Sequence, residues 1–358
     1  MKYALLLILF LSQSVFASNG LVDDSDFVPP HMQTTGYVDQ SLAPDRYEVT
    51  PIKQGLVIDL LVERAGTIEP VAGMIFEIKH QFKDVIKLET DVNGRAVLVN
   101  CPINSMFDVR VEADLSHSHF KIRGKGNSPY SIDLKNVECG QHITWVARSE
   151  SHSGQALTIW RVAVAAYNKL KHSIGLGFWE RPIEFEWPSG GDYYFFDTVH
   201  LTRGDFWDVV GHEMGHAIYD QARLGRMGGG AHKIDECYST TLALSEGWAS
   251  FFSAWVMIDL NDHDAKFPYM VQRRAPIRIE NVPSDVCAKE TNEWRVTSFF
   301  WDLIDLNNDA EAIELAFPVA WEAMRDQGFG SLSQIVQELE RRGTSREWLN
   351  IVWALNFP

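Results

Sequence analysis

A five-residue run, His212-Glu213-Met214-Gly215-His216, restricts the fold of this chain more than any other feature. An α-helix has about 3.6 residues per turn, so positions four apart lie on the same face and both imidazoles would point the same way. Two imidazoles in that arrangement can bind one zinc ion, while Glu213 beside them reaches a water molecule on the metal. The run therefore predicts a helix that carries two metal ligands and a general base.

The residues around the run favour this helix. Asp205 follows Gly204 and is a suitable N-cap. Gly211 and Gly215 each cost about 1 kcal/mol relative to alanine inside a helix, which predicts close packing at both positions. Apolar residues recur at helical spacing at Phe206, Val209, Val210, Ala217 and Ile218.

A catalytic zinc ion usually has three protein ligands and one position open to water, so a third donor is needed. Glu246 is the best candidate, because small residues after it would let a second helix lie close to the first. A metzincin site is excluded, since Tyr219 and Ala222 occupy the positions where that class requires glycine and histidine. The alternative third ligands are Asp235, Glu236 and His232.

This pattern, H-E-x-G-H followed by E-G-W-A at 246–249, resembles the gluzincin metallopeptidases. Glu293-Trp294 and the segment 299–303 after it are similar to the thermolysin-like and fungalysin-like branch. The resemblance spans residues 155–305 and implies Glu213 as the general base. The zinc ligands that it implies are His212, His216 and Glu246.

The expected chemistry needs more groups than these four. A bound zinc ion lowers the pKa of its water toward about 7 and polarises a carbonyl, and Glu213 would carry the proton to the leaving amine. Another donor must stabilise the oxyanion, and the candidates are Tyr238, His232, His263 and Arg295. A ligating imidazole also donates its second N–H to an oxygen, for which the candidates are Asp205, Asp220 and Glu293.

Residues 193–202, just before the metal helix, are predicted to form a strand. An edge strand in this place could pair with the extended backbone of a peptide substrate. An ordinary buried strand is the alternative, in which His200 is a histidine on the strand face.

The N-terminus predicts export. Lys2 precedes an apolar run at 3–11, and Val15-Phe16-Ala17 is a small-residue cleavage signal before Ser18. The run is shorter than the roughly 20 residues of a membrane span, and no later segment reaches that length without charge. We therefore expect a signal peptide at 1–17, no membrane span after its cleavage, and a secreted or periplasmic protein.

Four cysteines in an exported chain should pair. We expect one bridge per domain, although three connectivities are formally possible and zinc binding by the cysteines is an alternative. The expected bridges are Cys101–Cys139 and Cys237–Cys287.

The chain divides into two predicted domains after a loose lead-in segment at 18–50. Short alternating runs at 51–148 predict an antiparallel β-sandwich, with Asn93-Gly94 as a hairpin signal. The turn around these two residues resembles that of prealbumin-like and carboxypeptidase-regulatory-like modules. All twelve tryptophans lie at Trp145 or later. Residues 155–358 predict an α+β zincin-type domain, mostly helical in its second half, with helices at 156–170, 239–257, 294–306, 311–325, 331–341 and 346–355.

The formal charge of −16 argues against nucleic acid or an anionic membrane as a partner. We therefore expect a secreted zinc-dependent metallopeptidase that acts on a peptide or protein substrate. Two alternatives stay open: a secreted binding protein with a relict metal site, and a zinc hydrolase acting on a non-peptide bond. The intact Glu213 favours an enzyme, because a decayed site would not need its base.

Overall fold

The computed structural model describes residues 45–64, 66–80, 85–102, 105–112, 119–124, 128–129, 131–307 and 314–358. The expected signal peptide and nearly all of the lead-in segment lie outside the described residues. Within these ranges, strands dominate up to residue 147 and seven helices follow. This order agrees with the predicted arrangement of a β part followed by a part rich in helices. Among the described residues, no helix has both the length and the apolar character needed to cross a membrane.

Eleven strands precede the first helix in the described ranges. They are β1 Arg46–Pro51, β2 Leu56–Arg64, β3 Thr67–Pro70, β4 Ile75–His80, β5 Ile86–Glu89, β6 Arg95–Leu98, β7 Met106–Glu112, β8 Phe120–Gly124, β9 Ser128–Pro129, β10 Ser131–Glu138 and β11 Gln141–Ala147. The first sheet has the order β1-β11-β2-β3 with β6 also paired to β2, and the second has the order β10-β7-β4-β5. Both sheets bury alternate side chains, such as Ile58 and Leu60 of β2 and Phe76 and Ile78 of β4, in one hydrophobic cluster.

Two features of these sheets differ from the predicted antiparallel sandwich. β11 runs parallel to β2, and Gln141 aligns with Leu56. The Asn93-Gly94 turn forms, but it joins β5 and β6, which belong to different sheets, so the hairpin prediction was wrong. The backbone of Gly94 lies against β2, where its carbonyl accepts from the Leu60 amide at 2.8 Å, and this contact diverts the chain to the first sheet.

A third sheet joins the two halves of the sequence. It contains β12 Ile183–Glu186, β13 Tyr193–Phe195 and β14 Thr198–His200 in the order β13-β14-β12-β8-β9. β8 and β9 thus come from inside the range 51–148 yet belong to this sheet, in which β8 pairs parallel with β12 and β9 pairs with β8. The predicted strand at 193–202 is a hairpin, because Phe196 and Asp197 adopt positive φ between β13 and β14.

The helices follow the predicted periodicity closely. They are α1 His152–Ser173, α2 Trp207–Gln221, α3 Thr240–Met257, α4 Glu293–Asp302, α5 Phe317–Met324, α6 Leu332–Arg341 and α7 Arg346–Asn356, with the small sheet of β15 Lys266–Phe267 and β16 Ile277–Arg278 between α3 and α4. The N-cap of α2 is Phe206 and not Asp205, because the Asp205 carboxylate bonds the guanidinium of Arg203 at 2.7 Å. The predicted start of α5 at 311 falls in the gap at 308–313, outside the described residues.

Both expected disulfides are present. Cys101 pairs with Cys139, and Cys237 pairs with Cys287. The second bridge links the segment before α3 to the segment before α4. The cysteines are therefore occupied by each other and not by a metal.

Three glycines set the distances between α2, α3 and α4. A Cβ on Gly211 would lie 2.9 Å from the Cβ of Ser253, and one on Gly215 would lie 2.8 Å from the carbonyl oxygen of Ala249. A Cβ on Gly247 would lie 2.6 Å from the Cβ of Val296. These contacts confirm the close packing predicted from Gly211 and Gly215, and they extend it to α4.

We predict that Gly215→Ala destabilises the protein by about 1–3 kcal/mol, because the new methyl group must push the backbone of α3 away. The higher helix propensity of alanine opposes this loss by only about 1 kcal/mol. Urea unfolding gives the free-energy difference. Gly177→Ala is the control, since no atom lies within 4 Å of its added Cβ. Equal stability of the two variants would contradict the close packing of α2 on α3.

Candidate metal centre

Helix α2 and helix α3 bring three ligand atoms together. The Nε2 atoms of His212 and His216 lie 3.1 Å apart on one face of α2. Glu246, in the second turn of α3, places its Oε2 3.2 Å from the first nitrogen and 3.0 Å from the second. All three side chains are buried. The predicted ligand set therefore meets at one point in the interior.

The spacing of these atoms suits a small divalent cation. Zinc-type bonds of about 2.0–2.1 Å in tetrahedral geometry place neighbouring ligand atoms about 3.3 Å apart. Burial lowers the pKa of His212 to about 4. Burial alone would raise the pKa of Glu246, but the charge of His216 and the hydrogen bonds from both imidazoles hold it well below its usual range. A neutral imidazole and an ionised carboxylate are the forms that bind a metal, so the cluster could hold one.

A serine orients one of the imidazoles. The Oγ of Ser250 lies 3.0 Å from Nδ1 of His212, and Ser250 is one turn after Glu246 on the same face of α3. Of the three carboxylates expected in this role, Asp205 binds Arg203 and Asp220 accepts from Tyr194. The third, Glu293, lies against His232. The expectation of a carboxylate partner was therefore wrong for His212, and only the small-residue face of α3 indicated Ser250.

Glu213 is fully buried next to this cluster. Neither of its carboxylate oxygens has a hydrogen bond of normal geometry within the described residues. Burial, followed by the charges of Glu246 and Asp192, raises its pKa well above the usual range, and the backbone amide of Tyr194 opposes this shift. A buried carboxyl group without a hydrogen-bond partner, beside potential metal ligands, is a candidate general acid or base.

Of the four candidate oxyanion donors, the structure brings His232 to the cluster. Its Nε2 lies 4.0 Å from Oε2 of Glu246 and 3.1 Å from Oε2 of Glu293, and its Nδ1 lies 2.8 Å from the carbonyl oxygen of Gly230. Burial alone would lower the pKa of His232, but Glu293 and then Glu246 raise it to about 11 in the absence of a metal. His232 thus belongs to the site, although the irregular segment that carries it has no periodicity from which to predict this.

The other three candidates make polar contacts outside the cluster, although the ring of Tyr238 lies edge-on to that of His232, with 6.2 Å between the ring centroids. Arg295 donates to the carbonyl groups of Cys287, Val286 and Asn356, so its guanidinium holds chain segments together. Tyr238 is partly exposed and bonds the amide of Lys233 and the carboxylate of Glu236. His263 is exposed in the loop after α3.

The alternative third ligands Asp235 and Glu236 are also outside the cluster. Asp235 forms a two-oxygen contact with Arg273, and Glu236 binds Lys233. Both carboxylates are therefore compensated on the surface, and Glu246 is the carboxylate that faces both imidazoles of α2.

Comparison with known proteins adds little. No family model matches the chain, and no curated protein matches it. One similar solved structure is that of the Klebsiella pneumoniae 5-hydroxyisourate hydrolase, with 17% identity over 26% of this chain and 90% of that chain, at a TM-score of 0.20. A likeness of this extent assigns neither a fold nor an activity to this chain.

We predict that Zn2+ stabilises the protein after treatment with a chelator. A cation at 100 times its dissociation constant adds about 2.7 kcal/mol to the free energy of unfolding. His216→Ala should lose this response, because one of three ligands is gone. Thermal melts with and without Zn2+ measure the effect.

The control for this experiment is His172→Ala. His172 is exposed at the end of α1, and its Nδ1 lies 2.6 Å from the carbonyl oxygen of Asn168. This variant should keep the full response to Zn2+. If His216→Ala kept it as well, the stabilising cation would bind somewhere other than the His212-His216-Glu246 cluster.

Proposed function

We propose that this protein is an exported zinc-dependent hydrolase of peptide bonds. The observation that carries the proposal is the buried meeting point of His212, His216 and Glu246, with the unpaired carboxylate of Glu213 beside it. A buried carboxylate without a partner is costly, so a fold retains one where a ligand or a reaction uses it.

The donor set favours zinc over the other common divalent ions. Calcium and magnesium prefer sites made of oxygen atoms, whereas two imidazoles and one carboxylate form a known type of catalytic zinc site with one position left open. When bound, zinc lowers the pKa of its water toward about 7 and polarises the carbonyl group under attack. The three ligands come from two helices held in close contact, so their positions are fixed before metal or substrate arrives.

Glu213 has the role of general base. It lies one residue after His212 on α2, and neither of its buried carboxylate oxygens has another hydrogen-bond partner among the described residues, so both can accept from a water molecule. The same carboxyl group can then give this proton to the leaving amine. Glu213 is then ionised again, so the catalytic cycle needs no other acid.

A peptide substrate is favoured by the edge of the third sheet. Among the described strands, β13 pairs with β14 on one side and ends the sheet on the other. Its Tyr194 amide is close enough to influence the carboxyl group of Glu213, so the free edge lies beside the proposed base. An extended peptide could add to this edge through backbone hydrogen bonds and so present a peptide bond to the site.

Export is supported by the covalent structure. Two disulfides form within the described residues and use all four cysteines. Disulfides persist in oxidising compartments such as the periplasm and the extracellular space. Together with the predicted signal peptide, they support a secreted or periplasmic location.

We predict that Glu213→Gln lowers peptide hydrolysis by about 10²–10⁴-fold or more, because the amide cannot accept the proton from water. The substitution keeps the shape of the side chain and leaves the three ligands in place. Zinc content and thermal melts should therefore match those of the native protein. Cleavage of casein measures the activity, and Glu347→Gln, an exposed change on α7, is the control.

Three results would contradict the proposal in different ways. If the native protein bound no zinc, the proposed metal site would be wrong. A zinc-loaded protein that cleaves no peptide would favour a binding protein or a hydrolase of another bond. An active Glu213→Gln variant would remove Glu213 as the base.

A further inference from the structure

A second group of potential ligands adjoins the first. The donor atoms of His232, Glu246 and Glu293 lie within 4.8 Å of one another, and all three side chains are buried. His232 comes from the segment between α2 and α3, and Glu293 is the first residue of α4. Glu246 belongs to both groups. The interior therefore contains two sets of three ligands that share one carboxylate.

The contact between His232 and Glu293 has the form expected of two ligands of one cation. Their Nε2 and Oε2 atoms are 3.1 Å apart, yet neither has a hydrogen bond of normal geometry within the described residues. In an aligned hydrogen bond the N–H would point at the oxygen. Two ligands of one tetrahedral ion lie about 3.3 Å apart and both point at the ion instead.

The other nitrogen of His232 supports the same interpretation. Nδ1 lies 2.8 Å from the carbonyl oxygen of Gly230, which makes it the N–H donor and turns Nε2 toward the carboxylates. A carbonyl or carboxylate in this position is the usual partner of a metal-bound imidazole, since it fixes both the tautomer and the ring orientation.

The centre is rich in carboxyl groups that a cation can compensate. Glu213, Glu246 and Glu293 are three buried carboxyl groups around three imidazoles. An ionised carboxylate in this buried position carries a negative charge that is unfavourable without a compensating cation. Either a proton on His232 or a second metal ion can compensate it.

We propose that His232, Glu293 and Glu246 form a second divalent-cation site, so that the centre binds two ions that share the Glu246 carboxylate. The mixture of imidazole and carboxylate ligands selects zinc or a similar transition metal. Pairs of such ions about 3.5–4 Å apart act together in known hydrolases, including aminopeptidases. The proposal builds on the proposed hydrolase site, because Glu246 is common to both, but it concerns metal content and is tested without activity.

The test is the metal content of the full-length purified protein. The chain is loaded with Zn2+, excess ion is removed by gel filtration, and zinc per chain is measured by mass spectrometry. We expect two equivalents in the native protein and one in both Glu293→Gln and His232→Ala. The equivalent that remains also shows that each variant is folded around the His212-His216-Glu246 cluster.

A control is needed because an acidic protein can bind metal on its surface. The loop at 259–264 holds Asp259, Asp262 and Asp264 in a partly exposed cluster. Asp262→Asn should keep both equivalents. Loss of one equivalent in this variant, with both kept in Glu293→Gln, would assign the second ion to the surface and overturn the proposal.

Other outcomes are equally decisive. One equivalent in the native protein at saturating Zn2+ would overturn the second site and leave a proton on His232 as the compensating charge. Loss of both equivalents in Glu293→Gln with a native melting curve would show that the two sites are not separate. If the native protein bound two ions but cleaved no peptide, the second site would be supported and the peptidase proposal would be wrong.

Discussion

The close contact of α2 with α3 is the constraint on which the candidate metal centre depends. Gly211 and Gly215 on α2 leave no room for a methyl group against Ser253 and Ala249. At this separation the short side chain of Glu246 can reach two imidazoles on the facing helix. A wider spacing would leave the carboxylate unable to contact both nitrogens, so the glycines determine the ligand geometry although they bind nothing themselves.

The remaining parts of the site are fixed by contacts outside these two helices. Gly247 brings α4 close to α3 and thereby places Glu293 near Glu246. The segment that carries His232 is held by the Cys237–Cys287 disulfide and by the side-chain amide of Asn292, which donates to two of its carbonyl groups. Several buried ionisable groups are therefore kept together by many neutral contacts, which offset the unfavourable burial of charge.

The sequence predicted what is local and missed what depends on distant pairing. The five-residue run, the helical periodicity and the small residues after Glu246 predicted α2, α3 and the convergence of three potential ligand atoms. β11 pairs in parallel with β2, and the chain passes from one sheet to the other at Gly94. Both features depend on strands that are distant in the chain, and alternation of apolar residues does not predict which strands pair. Ser250 reaches the site through the packing of α3 against α2, whereas His232 reaches it on an irregular segment. An irregular segment has no periodicity, so the sequence could offer His232 only as one of several candidates.

The position of β8 has a consequence for how this protein can be divided. This strand lies between β7 and β10 in sequence, but it pairs beside β12 in the sheet whose far edge is β13. A fragment that begins after residue 148 would lack β8, and β12 would then present an unpaired edge open to association with other chains. Removal or exchange of the N-terminal half would therefore also remove a strand from the sheet that packs with the helical half.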